Sequence, residues 1–144
     1  MTHSRGVCGS ASTRGVGGVD AQPTLEEGQA LAAFIYALTC RVARALDEGE
    51  AIPDQPHRLI EENFWRATRY GLSGELIDLA TGDVLPARAR LELLADWIAP
   101  VADELGVPLT IPTANAAERQ RARLEEGATL REIYAEQVLE RVRA

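Results

Sequence analysis

TLEEGQALAAFIYALTCRVARALDEG, residues 24–49, decides the fold class. Thr24 followed three residues later by Glu27 forms a capping box. The hydroxyl accepts from the backbone of residue 27 and the glutamate reaches back, so two orphan donors of a helix start are satisfied. Leu31, Phe34, Ile35, Leu38, Val42 and Leu46 then recur at steps of three and four. That is one apolar stripe on a helix of about six turns. Gly49 supplies a stop. Cys40 lies beside the stripe and reads as a small boundary residue rather than a nucleophile.

The same alternation of caps, stripes and breakers continues downstream. Two prolines make residues 50–56 a linker. Pro56 opens a second helix that Gly71 closes. Leu59, Ile60, Phe64 and Ala67 form its apolar face, and Arg58, Glu62, Arg66 and Arg69 its charged one. In LSGELIDLATGDVLPA the ATGD turn separates two short apolar runs, a hairpin or extended loop. Pro86 opens a third helix with Leu91, Leu94, Ile98, Val101 and Leu105 inward. Pro100 is expected to kink or divide it near Ala99, and Gly106 to end it. VPLTIPT is extended. Asn115 with Glu118 caps a fourth helix, and Thr129 with Glu132 a fifth, whose stripe is Leu130, Ile133, Tyr134, Val138 and Val142. Upstream, residues 1–19 are rich in Gly, Ser, Thr and Arg without a period and read as a tail; GVGG lacks the spacing of a nucleotide loop. The fold expected is mainly α, with five or six helices and one short β element.

Composition narrows the chemistry. The chain has 144 residues, of which 46% are apolar, enough for a core. Its net charge of -7 opposes general nucleic-acid binding. All 15 basic residues are arginine. Without lysine there is no Walker-type loop, Schiff base or lysine general base. Phosphate chemistry stays open, because guanidinium forks bind phosphate bidentately. Cys8 and Cys40 do not make a disulfide framework, and His3 and His57 are too few for a zinc site. No apolar run approaches 18 residues and the N-terminus has no secretory segment. A cytoplasmic protein without a membrane partner is expected.

The densest constellation of chemistry-bearing residues is EENFWRATRYGLSGELIDL, residues 61–79. Asn63 and Arg66 are three apart and share a helix face, as do Arg66 and Arg69. With Tyr70 they can hold a phosphate or a carboxylate. A structural account is also open: cations near a helix C-terminus are favourable by its dipole alone, and Glu62 and Arg66 make an ordinary i,i+4 pair. Glu61 and Glu62 diverge by about 100° on a helix and cannot form an acid–base pair.

NFWRATRYGLSGELID resembles the N-x-W-R-A-x-R-Y-G-L signature of the glutamate–cysteine ligase type 2, or carboxylate–amine ligase, family. Asp20-Ala21-Gln22-Pro23-Thr24 is similar to that family's Asp-x-x-Pro-Thr element, and Arg119-Gln120-Arg121 to its R-Q-R element. The resemblance covers roughly residues 19–144. It implies the helical C-terminal part of a glutamine-synthetase-like α+β ligase, occupying 20–144 behind an unrelated tail, 1–19. The family's Glu-x-Arg element has no match in STRGVGGV, residues 12–19. The implied reaction activates a glutamate γ-carboxylate with ATP and Mg²⁺ and passes the acyl phosphate to an amine such as that of cysteine. Arg66 and Arg69 are the implied catalytic cations. Asn63, Arg66, Arg69 and Tyr70 are the implied substrate- or phosphate-binding set, with no metal ligand assigned. The carboxylate-rich sheet of the ligase lies outside the resemblance, so the chain is expected to be inactive alone. Its expected partner is the missing catalytic half or a second copy. Two other readings stand beside this one: a non-catalytic helical interaction module, and a regulatory binder of a small anion.

Overall fold

A computed structural model describes residues 22–51 and 54–143, with side chains described through Leu139. The tail 1–19, with His3 and Cys8, and Asp20 of the Asp-x-x-Pro-Thr stretch lie outside the described residues. The elements are α1 (Leu25–Asp47), α2 (His57–Tyr70), a single 3-10 turn (Gly71–Ser73), β1 (Glu75–Ile77), β2 (Val84–Pro86), α3 (Ala87–Leu105), α4 (Ala116–Glu125) and α5 (Leu130–Arg143). The architecture is mainly α with one small hairpin, as the sequence predicts.

Each helix starts where its cap stands. The Thr24 hydroxyl accepts from the Glu27 N–H at 3.2 Å. Glu27 returns to the Thr24 hydroxyl at 3.1 Å instead of to the backbone, so only half of the expected box forms. Asn115 and Glu118 make the complete reciprocal box. Thr129 and Glu132 cap α5 in the same manner, with the Thr129 N–H donating to Glu132 at 2.8 Å. Gly106 ends α3 in the left-handed region, at φ 65° and ψ 30°.

The core is the seam between α1 and α3. Ala37, Ile98 and Ala102 are fully buried there, with Phe34, Leu38 and Leu109 packed around them. Alanines on both helices let the backbones approach closely, and Ile98 fills the space between. Ions close the end of the seam. Arg44 grips Glu104 through two hydrogen bonds of 3.1 and 2.7 Å. The Arg41 guanidinium lies 4.4 Å over the Trp97 ring and pairs with Glu50 at 3.0 Å. The hairpin docks α2 to α3. Its strands are antiparallel with Leu76 opposite Leu85. The Asp78 carboxylate accepts from the Ala80 and Thr81 N–H groups and shapes the turn.

Three expectations are corrected. Pro100 does not divide α3, which runs through it to Leu105; its side is exposed, and only one backbone bond is forfeited there. The α5 stripe is not a buried stripe. Ile133 is buried, but Leu130 and Tyr134 are 73% and 70% exposed. Ile60 and Phe64 of α2 and Leu46 of α1 are exposed in the same way. Periodicity found these faces, but nothing in the described residues covers them. Finally, α1 is long and apolar enough, by length and composition, to cross a membrane. A core helix passes the same test, and here α1 buries Ala37 and Ala45 within the fold.

Candidate functional site at the junction of α2 and α4

The residues singled out on α2 separate into distinct roles. Asn63 presents its side-chain amide to Ile77 as a strand would: Nδ2 donates to the Ile77 carbonyl and Oδ1 accepts from the Ile77 N–H, both at 2.7 Å. It pins β1 to α2. The Arg66 Nε donates to Glu62 at 2.7 Å, the i,i+4 pair read from the sequence. Tyr70 stands edge-on to Trp65, with ring centres 5.7 Å apart and planes at 86°, while the Arg69 guanidinium lies 5.7 Å from its ring. Trp65 thus packs against a ring of its own helix and is half exposed.

Gly71 determines what lies beyond. Its φ is +62°, a conformation that side chains disfavour. A Cβ placed there would stand 2.3 Å from Nδ2 of Asn115. The missing side chain therefore lets the start of α4 sit directly against the end of α2. Glu118 then fastens the two: one oxygen accepts from the Ser73 N–H at 2.8 Å, the other from the Asn115 N–H at 2.9 Å.

Burial alone would push the Glu118 carboxyl up. The Asn115 and Ser73 N–H groups, with the positive charge of Arg121, outweigh it and hold the group below its ordinary range. A carboxyl whose folded value is depressed contributes stability that is complete above its unfolded value of about 4.5 and disappears as pH falls through the folded value. Acid is expected to loosen the α2–α4 junction. Amide exchange at Ser73 and Asn115, followed between pH 6 and pH 3, checks this. An unchanged acid profile in Glu118→Gln would show that another group controls the junction.

The junction frames a cavity of about 220 Å³, lined by Gln22, Thr68, Arg69, Gly71, the Asn115–Ala117 start of α4, and Arg121. Three stretches far apart in the chain converge here: the Gln22 end of α1, the RATRYG end of α2, and the R-Q-R helix. Glu27 and Arg119 form an ion pair that ties the first of these to the third. Of the residues read as a binding set, Arg69 lines this cavity; Asn63, Arg66 and Tyr70 are not among its walls. Sequence reasoning passed over Arg121. The R-Q-R element was the signal for it, but three residues on a helix do not say which of them faces inward. Among the described residues no three His, Cys, Asp or Glu side chains gather to hold a metal. The cavity's polar walls are guanidinium, amide and hydroxyl groups, which suit an oxyanion and not Mg²⁺.

Comparison with known proteins gives the family. Residues 15–138 match the family described as glutamate-cysteine ligase family 2. A protein of Frankia alni named "Putative glutamate--cysteine ligase 2-2" is 34% identical over 107 residues, 69% of this chain and 28% of that protein. "Putative glutamate--cysteine ligase 2" of Gloeobacter violaceus is 35% identical over 124 residues, 81% of this chain and 33% of its own length. The namesake in Thermobifida fusca is 31% identical over 121 residues, 79% of this chain and 30% of the relative. The chain thus spans about a third or less of these relatives. No solved structure matches. The match over residues 15–138 includes all three converging stretches, and the chain belongs to glutamate-cysteine ligase family 2.

Proposed function

We propose that this chain is the helical C-terminal part of an ATP-dependent carboxylate–amine ligase that joins the γ-carboxylate of glutamate to a small amine such as cysteine. The observation that carries the reading is the meeting of the three family-like stretches around one cation-lined cavity. ATP with Mg²⁺ supplies the phosphoryl group that activates the carboxylate. The residues of this chain hold and orient oxyanions. Arg69 is the primary cation, because its guanidinium is not committed to a carboxylate among the described residues. Arg66 joins it when its guanidinium exchanges the Glu62 carboxylate for a substrate oxygen. Such cations stabilise charge that develops on a transferred phosphoryl group or on an acyl phosphate. Carboxylates for the metal come from a catalytic half supplied by a partner chain, or by a longer form of the protein, in the cytoplasm.

The chain alone is expected to release no phosphate from ATP in the presence of glutamate and cysteine. A chimera in which it replaces the corresponding third of the Gloeobacter violaceus relative is expected to retain that relative's glutamate-dependent phosphate release. Arg69→Ala in the chimera should lower the release by at least about 100-fold, the scale of a lost electrostatic stabiliser. Turnover by the isolated chain, or a chimera indifferent to Arg69→Ala, would overturn the proposal. The uncovered Phe64, Leu130 and Tyr134 favour a second reading, a helical interaction module without catalysis. That reading predicts that Arg69→Ala alters neither activity nor association.

A further inference from the structure

We infer that Arg69 and Arg121 are the two jaws of an oxyanion clamp, which takes one carboxylate or phosphate group into the cavity between α2 and α4. The identity of the ligand rests on the ligase reading above; the existence of the clamp does not. Most arginines whose side chains are described are spoken for. Arg41, Arg44, Arg66, Arg90, Arg119 and Arg123 each pair with a carboxylate. Arg88 donates to the carbonyls of Pro112 and Thr113. Arg58, Arg69, Arg121 and Arg131 have no such ion pair among the described residues, and of these Arg69 and Arg121 line one cavity.

With a net charge of -7, carboxylates are in surplus, so the lack of a direct ion pair at these two guanidiniums is not a shortage of anions; Arg121 acts on Glu118 only through its field, and Arg69 faces the Tyr70 ring. Like charges around one concavity raise each other's free energy, and an entering anion relieves both. Each planar fork offers two parallel N–H donors to a carboxylate or phosphate. The Glu118 carboxylate is held by the Ser73 and Asn115 N–H groups. Gln22 adds an amide to the wall, and the positive end of α4 adds to the field. The volume of about 220 Å³ is below the ~300–1,000 Å³ typical of pockets that hold drug-sized ligands. It therefore suits the charged head of a substrate, not a whole nucleotide.

Calorimetric titration of the full chain with inorganic phosphate, glutamate and ATP, each at low ionic strength, tests the clamp. Saturable binding of phosphate or glutamate is expected. Arg121→Ala should weaken it at least tenfold, with partial recovery in Arg121→Lys. Arg131→Ala, a change on the distant helix α5, should leave it unaltered. Binding of phosphate and ATP without glutamate identifies a phosphoryl site, and binding of glutamate alone identifies a carboxylate site. No saturable binding by any probe overturns the inference. So does Arg121→Ala binding as the parent does while its circular dichroism is unchanged, or an equal loss in Arg131→Ala. Because the titration needs no turnover, an inactive chimera with intact binding would remove the ligase reading and leave the clamp.

Discussion

Gly71→Ala is expected to destabilise the chain by about 3 kcal/mol and to free α4 from α2. Two costs act together. The left-handed φ of +62° strains any L side chain by about 1–3 kcal/mol. The new methyl group would also meet Nδ2 of Asn115 at 2.3 Å. That amide cannot swing away freely, because its oxygen caps the Glu118 N–H at 2.8 Å. Losing such a cap costs roughly 1 kcal/mol more. Gly106→Ala is the control. Gly106 has a similar φ of +65° but nothing within 4 Å of its would-be Cβ, so only the strain remains. Chemical denaturation of both variants measures the difference. If Gly106→Ala cost as much as Gly71→Ala, the close approach of α4 would carry none of the effect.

Asn63→Asp is expected to be nearly as harmful as Asn63→Ala, each costing about 2 kcal/mol. The size of the side chain barely changes in the first case. What changes is the pattern of donors. Asparagine offers one N–H and one oxygen to Ile77, matching the backbone group for group. A net hydrogen bond is worth about 1 kcal/mol, and a partner left unsatisfied costs about 1–3. Aspartate keeps the bond from the Ile77 N–H but turns a second oxygen toward the Ile77 carbonyl, where two acceptors repel. Equilibrium unfolding of both variants, with amide exchange at Ile77, reads the outcome. A stable Asn63→Asp variant whose only defect was ligand binding would instead return Asn63 to the substrate-binding set.

These two residues show what the linear pattern carries and what it withholds. Caps are local, so Thr24, Asn115 and Thr129 announced helix starts within a residue. The Glu62–Arg66 pair is also local and formed as read. Asn63 is different. Its partner lies 14 residues away and becomes a partner only after the hairpin closes, so its polar side chain reads equally as a ligand group. Arg121 comes to share a cavity with Arg69 through a helix approach that depends on an absent side chain at Gly71, and no spacing rule reports an approach of that kind. Burial was the least legible property. The stripes of α2 and α5 have correct helical periods, but a period specifies a face and not what lies opposite it.

The narrow α1–α3 seam, with only Ala37, Ile98 and Ala102 at its centre, has a thermal consequence. The heat capacity of unfolding comes chiefly from newly wetted hydrocarbon. Here Phe64, Leu130, Tyr134 and Leu139 are largely hydrated already in the native form. The stability curve of the chain is therefore expected to be shallow, bending little between cold and warm, and a surface that dried those side chains to steepen it.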